Sequence, residues 1–123
     1  MTVLFDSSAW FAYVGDNSPV VRGIVDSGEE IFVSVISLFE IKRVLLKRGV
    51  QVQKIEKTLS FVRSRCRVFD VTRDIADFAA ELSFKHGLST ADALIYASAR
   101  SRNAELITGD DDFRGMKGVK IVE

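Results

Sequence analysis

A chain of 123 residues, 47% hydrophobic and 28% charged, has the length and apolar content of one compact domain, so residues 1–123 are read as a single unit. Lys+Arg and Asp+Glu both number 17, which argues against a globally basic nucleic-acid binder and against an acidic solvating tail; any charge signal has to be local. The one cysteine, Cys66, makes no internal disulfide, and no apolar run reaches the length of a signal peptide core or a membrane span, so the expectation is a soluble cytoplasmic protein with no membrane contact.

In chain order, Thr2 to Phe5 is a short apolar run that reads as a strand. Asp6-Ser7-Ser8 suits a helix start, and Trp10 to Val14 continues helically toward Gly15. Residues 1–14 and 20–25 are richer in apolar side chains than a small surface helix requires, a hint of an oligomer or partner surface. Trp10, Phe11 and Tyr13 are read as core or partner contacts in preference to platforms for bases. Ile31-Phe32-Val33 is a second strand, leading through Ser34 to a helix with Leu38, Ile41 and Leu45 on one face and a stop near Gly49. Val52, Ile55, Leu59 and Val62 mark another helix, followed by a strand around Arg67-Val68-Phe69. Thr72 caps a helix with the stripe Ile75, Phe78, Ala79 and Leu82, ending near Gly87. Ser89 opens the next, with Ala91, Leu94, Ile95 and Ser98 inward. Glu105 to Thr108 is a strand, residues 109–116 form a turn with a short helical piece, and Val119 to Val122 closes the chain as a strand. Short strands alternating with long amphipathic helices predict the α/β class, a three-layer α/β/α sandwich around a mainly parallel sheet.

In such a sheet ligands bind beyond the carboxyl ends of the strands, and four acids fall there. Asp6 follows the first strand, Glu40 is placed in the first turn after the second, Asp92 lies in the first turn of the helix opened by Ser89, and Asp110 follows Thr108. Of these only Glu40 has basic neighbours, and of Lys42 and Arg43 only Arg43 is spaced to reach it. Taken singly, each acid is accounted for by helix capping: Ser37-x-x-Glu40 and Ser89-x-x-Asp92 fit the capping-box pattern, and Asp6 is a good N-cap. Asp110-Asp111-Asp112 alone reads as a polar turn. Four carboxylates at strand exits without counter-charges repel one another, however, and persist where a cation holds them together. Oxygen donors without a His or Cys pair select a hard ion, Mg²⁺ or Mn²⁺, suited to phosphodiester hydrolysis.

Four segments carry a family resemblance: Phe5-Asp6-Ser7-Ser8-Ala9-Trp10, Ser37-Leu38-Phe39-Glu40-Ile41, Thr90-Ala91-Asp92-Ala93-Leu94-Ile95-Tyr96-Ala97 and Leu106-Ile107-Thr108-Gly109-Asp110-Asp111-Asp112-Phe113. In order and across nearly the whole chain they resemble the acidic motifs of PIN domains, and the chain length resembles that of VapC-type toxins of prokaryotic toxin–antitoxin pairs. The resemblance implies a Mg²⁺-dependent ribonuclease with Asp6, Glu40, Asp92 and Asp110 as the metal-site acids and Asp112 as an auxiliary that is able to share the role of Asp110. It makes Ser7 and Thr108 hydroxyls that orient carboxylates or water, and implies a homodimer inhibited by a cognate antitoxin. Ser8 departs from the pattern, since many members of the family carry Asn there.

Between Lys42 and Arg73 ten basic residues face two acids, Glu56 and Asp70, a local charge of roughly +8 set against an acidic remainder. A basic arm beside an acidic pocket suits RNA, whose phosphates are gripped by Lys and Arg; a pair of solvated helix faces explains it equally well. The alternative reading of the whole chain is a catalytically inactive PIN-like module that binds RNA or protein and uses its acids as caps. A phosphorylatable receiver-like domain built on Asp6 or Asp70 fits poorly, because Ser7-Ser8 follows Asp6 and acids, not a lysine, follow Thr108. A haloacid-dehalogenase-like phosphatase requires an Asp where Ser8 stands.

Overall fold

The computed structural model describes residues 2–122. Among them the order of elements is β1 (Val3–Phe5), α1 (Ser7–Val14), α2 (Pro19–Asp26), β2 (Ile31–Ser34), α3 (Val35–Lys47), α4 (Val52–Arg65), β3 (Arg67–Phe69), α5 (Arg73–His86), α6 (Thr90–Ser101), β4 (Glu105–Thr108), a 3-10 turn (Asp111–Phe113) and β5 (Val119–Ile121). The strands form one sheet in the order β3-β2-β1-β4-β5, and every neighbouring pair is parallel. The expected mainly parallel sheet is thus parallel throughout.

Period-2 alternation splits the three central strands β1, β2 and β4 between two cores. Val3, Phe5, Ile31, Val33 and Ile107 face one side, where Trp10 of α1, Val21 and Val25 of α2, Ile41 of α3 and Ile55, Leu59 and Val62 of α4 cover them. Leu4, Phe32, Phe69 and Leu106 face the other, against Ala79 of α5, the inner face of α6 and Phe113. These are the three layers. The chain steps from β1 to β2 to β3 in one direction, then returns past β1 to β4 and β5. That reversal, with same-handed crossovers, carries α5 and α6 to the opposite face and leaves a topological switch point between β1 and β4.

Two local expectations change. Helix α2, seen in the sequence only as an apolar stretch, is a formed helix: Ser18 caps it by accepting from Val21 N at 3.2 Å, and Pro19 sits at its first position, where a missing N–H costs nothing. Val21 and Val25 are core residues, while Val14 and Val20 stay exposed, so only part of the apolar excess is left at the surface; Met1, part of the same stretch, lies outside the described residues. Secondly, α3 starts straight out of β2 with Ser34 as its cap, accepting from Ile36 N at 3.1 Å. The Ser37-x-x-Glu40 capping box therefore does not form: Ser37 is inside the helix, fully buried with its hydroxyl unpartnered, and Glu40 lies in the second turn, not the first.

Candidate metal centre

The carboxyl ends of β1 and β4 are tied together by one carboxylate. Asp6 caps α1 and is only 5% exposed, so its oxygens must find partners inside the protein. Its Oδ1 accepts from Ser8 Oγ at 2.6 Å and from Ala9 N at 3.0 Å, and its Oδ2 accepts from Thr108 Oγ1. Each of the two hydroxyls in turn accepts one backbone N–H from the loop after β4: Ser8 Oγ from Gly109 N at 2.8 Å and Thr108 Oγ1 from Asp110 N at 3.0 Å. A hydroxyl has one hydrogen to give, and here both give it to Asp6, so the arrangement is complete only when Asp6 is an ionised acceptor. Burial works against that and pushes the Asp6 carboxyl above its ordinary range; the hydrogen bonds from Ser8, Thr108 and Ala9 oppose the rise, and the charge of Asp110 adds to it.

The same loop aims the remaining acids. Asp110 caps the 3-10 turn, its Oδ1 accepting from Asp112 N at 2.9 Å, which curls the chain so that Asp110 and Asp112 share a side. Across from them Asp92 occupies the third position of α6, where Ser89 caps the helix by accepting from Asp92 N at 3.2 Å. Carboxylate oxygens of Asp92, Asp110 and Asp112 all lie within 4.8 Å of one another. Asp92 is held above the ordinary carboxylate range, first by burial and then by the charges of Asp110, Asp112 and Asp6, with Ser89 opposing. Glu40 completes the rim from α3: Ser7 Oγ donates to its Oε1 at 3.2 Å. It too is raised, by burial first and by Asp6 and Asp92 next, while the Ser7 hydrogen bond and Arg43 oppose the rise.

The five predicted site acids are thus gathered at one end of the sheet, but unequally. Asp92, Asp110 and Asp112 form a tight trio; Asp6 and Glu40 are electrostatic neighbours that stand outside it. Ser7 orients Glu40, and Thr108 orients Asp6. Asp111 turns away to pair with Arg114. Ser8 is the residue that sequence reasoning underrated: although it replaces the Asn common in related motifs, it keeps a hydrogen bond to Asp6 and adds one to Gly109. Trp10, by contrast, is core, with its ring edge-on to Phe5 and Phe61. Among the described residues none of the five acids lies within ion-pair distance of a lysine or arginine. Oxygen-only donors and close spacing, with the raised proton affinity of Asp6, Glu40 and Asp92, fit a hard divalent cation such as Mg²⁺ or Mn²⁺.

Within the basic arm several charges have structural duties. Arg65 donates to the carbonyl oxygens of Val25 and Ile24 at 2.9 and 3.3 Å, Arg67 pairs with Glu30 at 3.3 Å, and Lys42 approaches Glu56 at 3.8 Å. No helix among the described residues is long and apolar enough to cross a membrane.

Comparison with known proteins fits this geometry. The PIN domain profile matches residues 3–119, and the chain belongs to the PIN domain family. No curated protein sequence matches it. Similar solved structures include a toxin–antitoxin complex from Klebsiella pneumoniae, 23% identical with a TM-score of 0.78, covering 96% of this chain and 95% of that one. VapBC2 from Rickettsia felis, bound to a DNA fragment from its promoter, is 17% identical with a TM-score of 0.80 and full coverage of both chains. The Mycobacterium tuberculosis toxin VapC20, which cleaves the sarcin–ricin loop, is 20% identical with a TM-score of 0.76, covering 98% of this chain and 99% of that one.

Proposed function

We propose that this PIN domain is a metal-dependent endoribonuclease, the toxin of a prokaryotic toxin–antitoxin pair, acting in the cytoplasm as a homodimer restrained by a cognate antitoxin. The observation that carries the reading is the trio Asp92, Asp110 and Asp112, with carboxylate oxygens within 4.8 Å of one another and, among the described residues, no lysine or arginine within ion-pair distance of them. The likeness in fold to VapC toxins and to toxin–antitoxin complexes supports the biological setting.

In this reading Asp6, Glu40, Asp92 and Asp110 are the catalytic acids and metal ligands, with Asp112 sharing the position of Asp110. Mg²⁺ or Mn²⁺, when bound, supplies the positive charge that offsets a phosphodiester and the acidity that makes water a nucleophile near neutral pH. The chain's own residues do the rest. Asp92, Asp110 and Asp112 keep their negative charge concentrated at one point. Asp6, fixed by Ser8 and Thr108, locks the exits of β1 and β4 so that this point does not drift. Glu40, half-buried and raised in proton affinity, is placed to take a proton from an attacking water on the α3 side, with Ser7 holding its carboxylate. The test is cleavage of labelled RNA by the purified chain. Cleavage that needs Mn²⁺ or Mg²⁺ and disappears in Asp92→Asn supports the proposal; cleavage that survives EDTA and Asp92→Asn overturns it.

A further inference from the structure

The start of α6 lies in a valley between two helices. On one side Thr90 and Leu94 face Ala76, Ala80 and Phe84 of α5 across a groove of about 590 Å³. On the other, the same two residues face Phe39 of α3. The two clefts therefore form one apolar strip. A large ring stands on each side of it, Phe39 at 62% exposed and Phe84 at 94%, and monomer surfaces seldom leave so continuous an apolar strip open. Charge borders the strip, with opposite signs on its two sides. Along α5 the exposed Asp77 and Glu81 stand four residues apart, and among the described residues neither is within ion-pair distance of a lysine or arginine, Arg73 and Lys85 of their own helix included. Along α3 the exposed Arg43 and Lys47 stand at the same spacing, one and two turns beyond Phe39, and neither is within ion-pair distance of an acid. Like charges four apart destabilise a helix, and an opposite stripe laid over them relieves the repulsion.

We propose that this face is the contact between two copies of the chain, related by a two-fold axis through the start of α6, so that α5 of each copy lies on α3 of the other. The inference gives the homodimer of the proposed function its surface; it rests on that part of the reading and not on the nuclease chemistry. Phe39 of one copy enters the groove between α5 and α6 of the second, where alanines leave room for a ring. Arg43, whose guanidinium lies 5.5 Å from the centroid of that ring, is carried with Lys47 against the acids of α5. Symmetry makes the same contact twice, giving an apolar centre with a charged rim. The alternative two-fold, α5 on α5 and α3 on α3, sets acids on acids and bases on bases. A partner of another sequence would have to carry both stripes at this spacing on either side of an apolar ridge, whereas a second copy supplies them by rotation. A nucleic-acid strand finds little here, because the lining is mostly apolar and the acids of the metal centre adjoin it.

The experiment measures the molar mass of the full chain by sedimentation equilibrium, with two charge-reversed variants. One carries Asp77→Lys with Glu81→Lys on α5, the other Arg43→Glu with Lys47→Glu on α3. The parent is expected to be a dimer and each variant alone a monomer, since reversal of one stripe sets like charges against each other at both contacts. An equimolar mixture of the two variants is expected to form a mixed dimer, and a chain carrying all four substitutions to regain its own dimer, because opposite signs again face each other. These two recoveries separate a lost contact from a lost fold. Phe39→Ala is expected to raise the dimer dissociation constant by about thirtyfold or more, the loss typical of a central aromatic anchor. Single variants that stay dimeric, a mixture that stays monomeric, or parent-like association by Phe39→Ala overturns the proposal. So does a parent that is monomeric at about 100 μM, which removes the homodimer with it. Failure of the nuclease reading is separate: charge-dependent dimers without metal-dependent RNA cleavage by the parent retain the face and remove the enzyme.

Discussion

Thr108 donates its hydroxyl hydrogen to Asp6 Oδ2, joining residues 102 positions apart in the chain at the point where β4 and β1 leave the sheet. Thr108 is fully buried, and its oxygen also accepts from Asp110 N at 3.0 Å, so a single side chain fixes one acid of the site and the backbone of another. Thr108→Val keeps the volume but leaves Asp6 Oδ2 and Asp110 N without a partner. The expected cost is about 1–3 kcal/mol of folding stability, measured by urea denaturation, together with weaker Mn²⁺ binding in the variant at temperatures where it is folded. Parent-like stability and metal affinity would show that the network is ornamental.

Ser8 does the same for the other oxygen, but at the surface end of the network. Ser8→Ala removes the 2.6 Å hydrogen bond to Asp6 Oδ1 and the tether on Gly109 N, while Ala9 N still holds the carboxylate. The fold is expected to survive with a loss of about 1 kcal/mol, and metal-dependent RNA cleavage to fall by more than that loss of stability explains. Ser8→Asn, restoring the residue frequent in related motifs, is expected to recover part of the activity. Recovery by Ser8→Val as complete as by Asn would mean that bulk, not hydrogen bonding, is what the position supplies.

Three consecutive aspartates differ in what they face, which allows a sharp comparison. Asp110 and Asp112 share the trio with Asp92, whereas Asp111 is exposed and paired with Arg114. Mn²⁺ added to the parent raises its melting temperature, because an ion that binds only the folded chain stabilises it by mass action. Asp92→Asn, Asp110→Asn and Asp112→Asn are each expected to abolish most of that increment, and Asp111→Asn to leave it intact. Equal increments in all four variants would remove the trio from metal binding.

Much of this site is readable from residue order, because strands that end in an acid and helices that begin with Ser or Thr leave strong local marks. Asp6 after Val3-Leu4-Phe5 and Asp92 three positions after Ser89 sit where periodicity places them. Glu40 was displaced by a turn because Ser34 and Ser37 are both able to cap a helix, and only the packing of β2 chooses between them: Ser37 points into the protein and Ser34 stands at the strand exit. Helix α2 carries a Ser18-Pro19 start but only eight residues, too few for a periodic stripe to stand out, so its helicity rests on Val21 and Val25 docking in the core. The split between the trio and the Asp6–Glu40 pair is not a sequence property at all. It depends on Asp110 Oδ1 accepting from Asp112 N, a turn geometry that pattern alone leaves open.

Proton affinity gives the last test, and its sign follows from burial. Asp6, Glu40 and Asp92 all hold protons more tightly than the ordinary values of 3.8 for Asp and 4.5 for Glu, with burial the largest cause in each. The folded chain therefore binds more protons than the unfolded chain just above those values, and stability falls as pH rises through that window. The contribution of these groups is fully present below about pH 4 and is lost once all three are ionised in the fold. In EDTA, Asp92→Asn removes one such group and relieves Glu40 of the Asp92 charge, so its stability is expected to decline less steeply than the parent's as pH rises from about pH 4 toward about pH 7. Saturating Mn²⁺ is expected to reverse the parent's slope, because the ion binds the deprotonated carboxylates and competes with protons for them. Urea midpoints across that range decide the matter: a parent and an Asp92→Asn chain with parallel pH dependence in EDTA would mean that Asp92 keeps an ordinary proton affinity in the folded state.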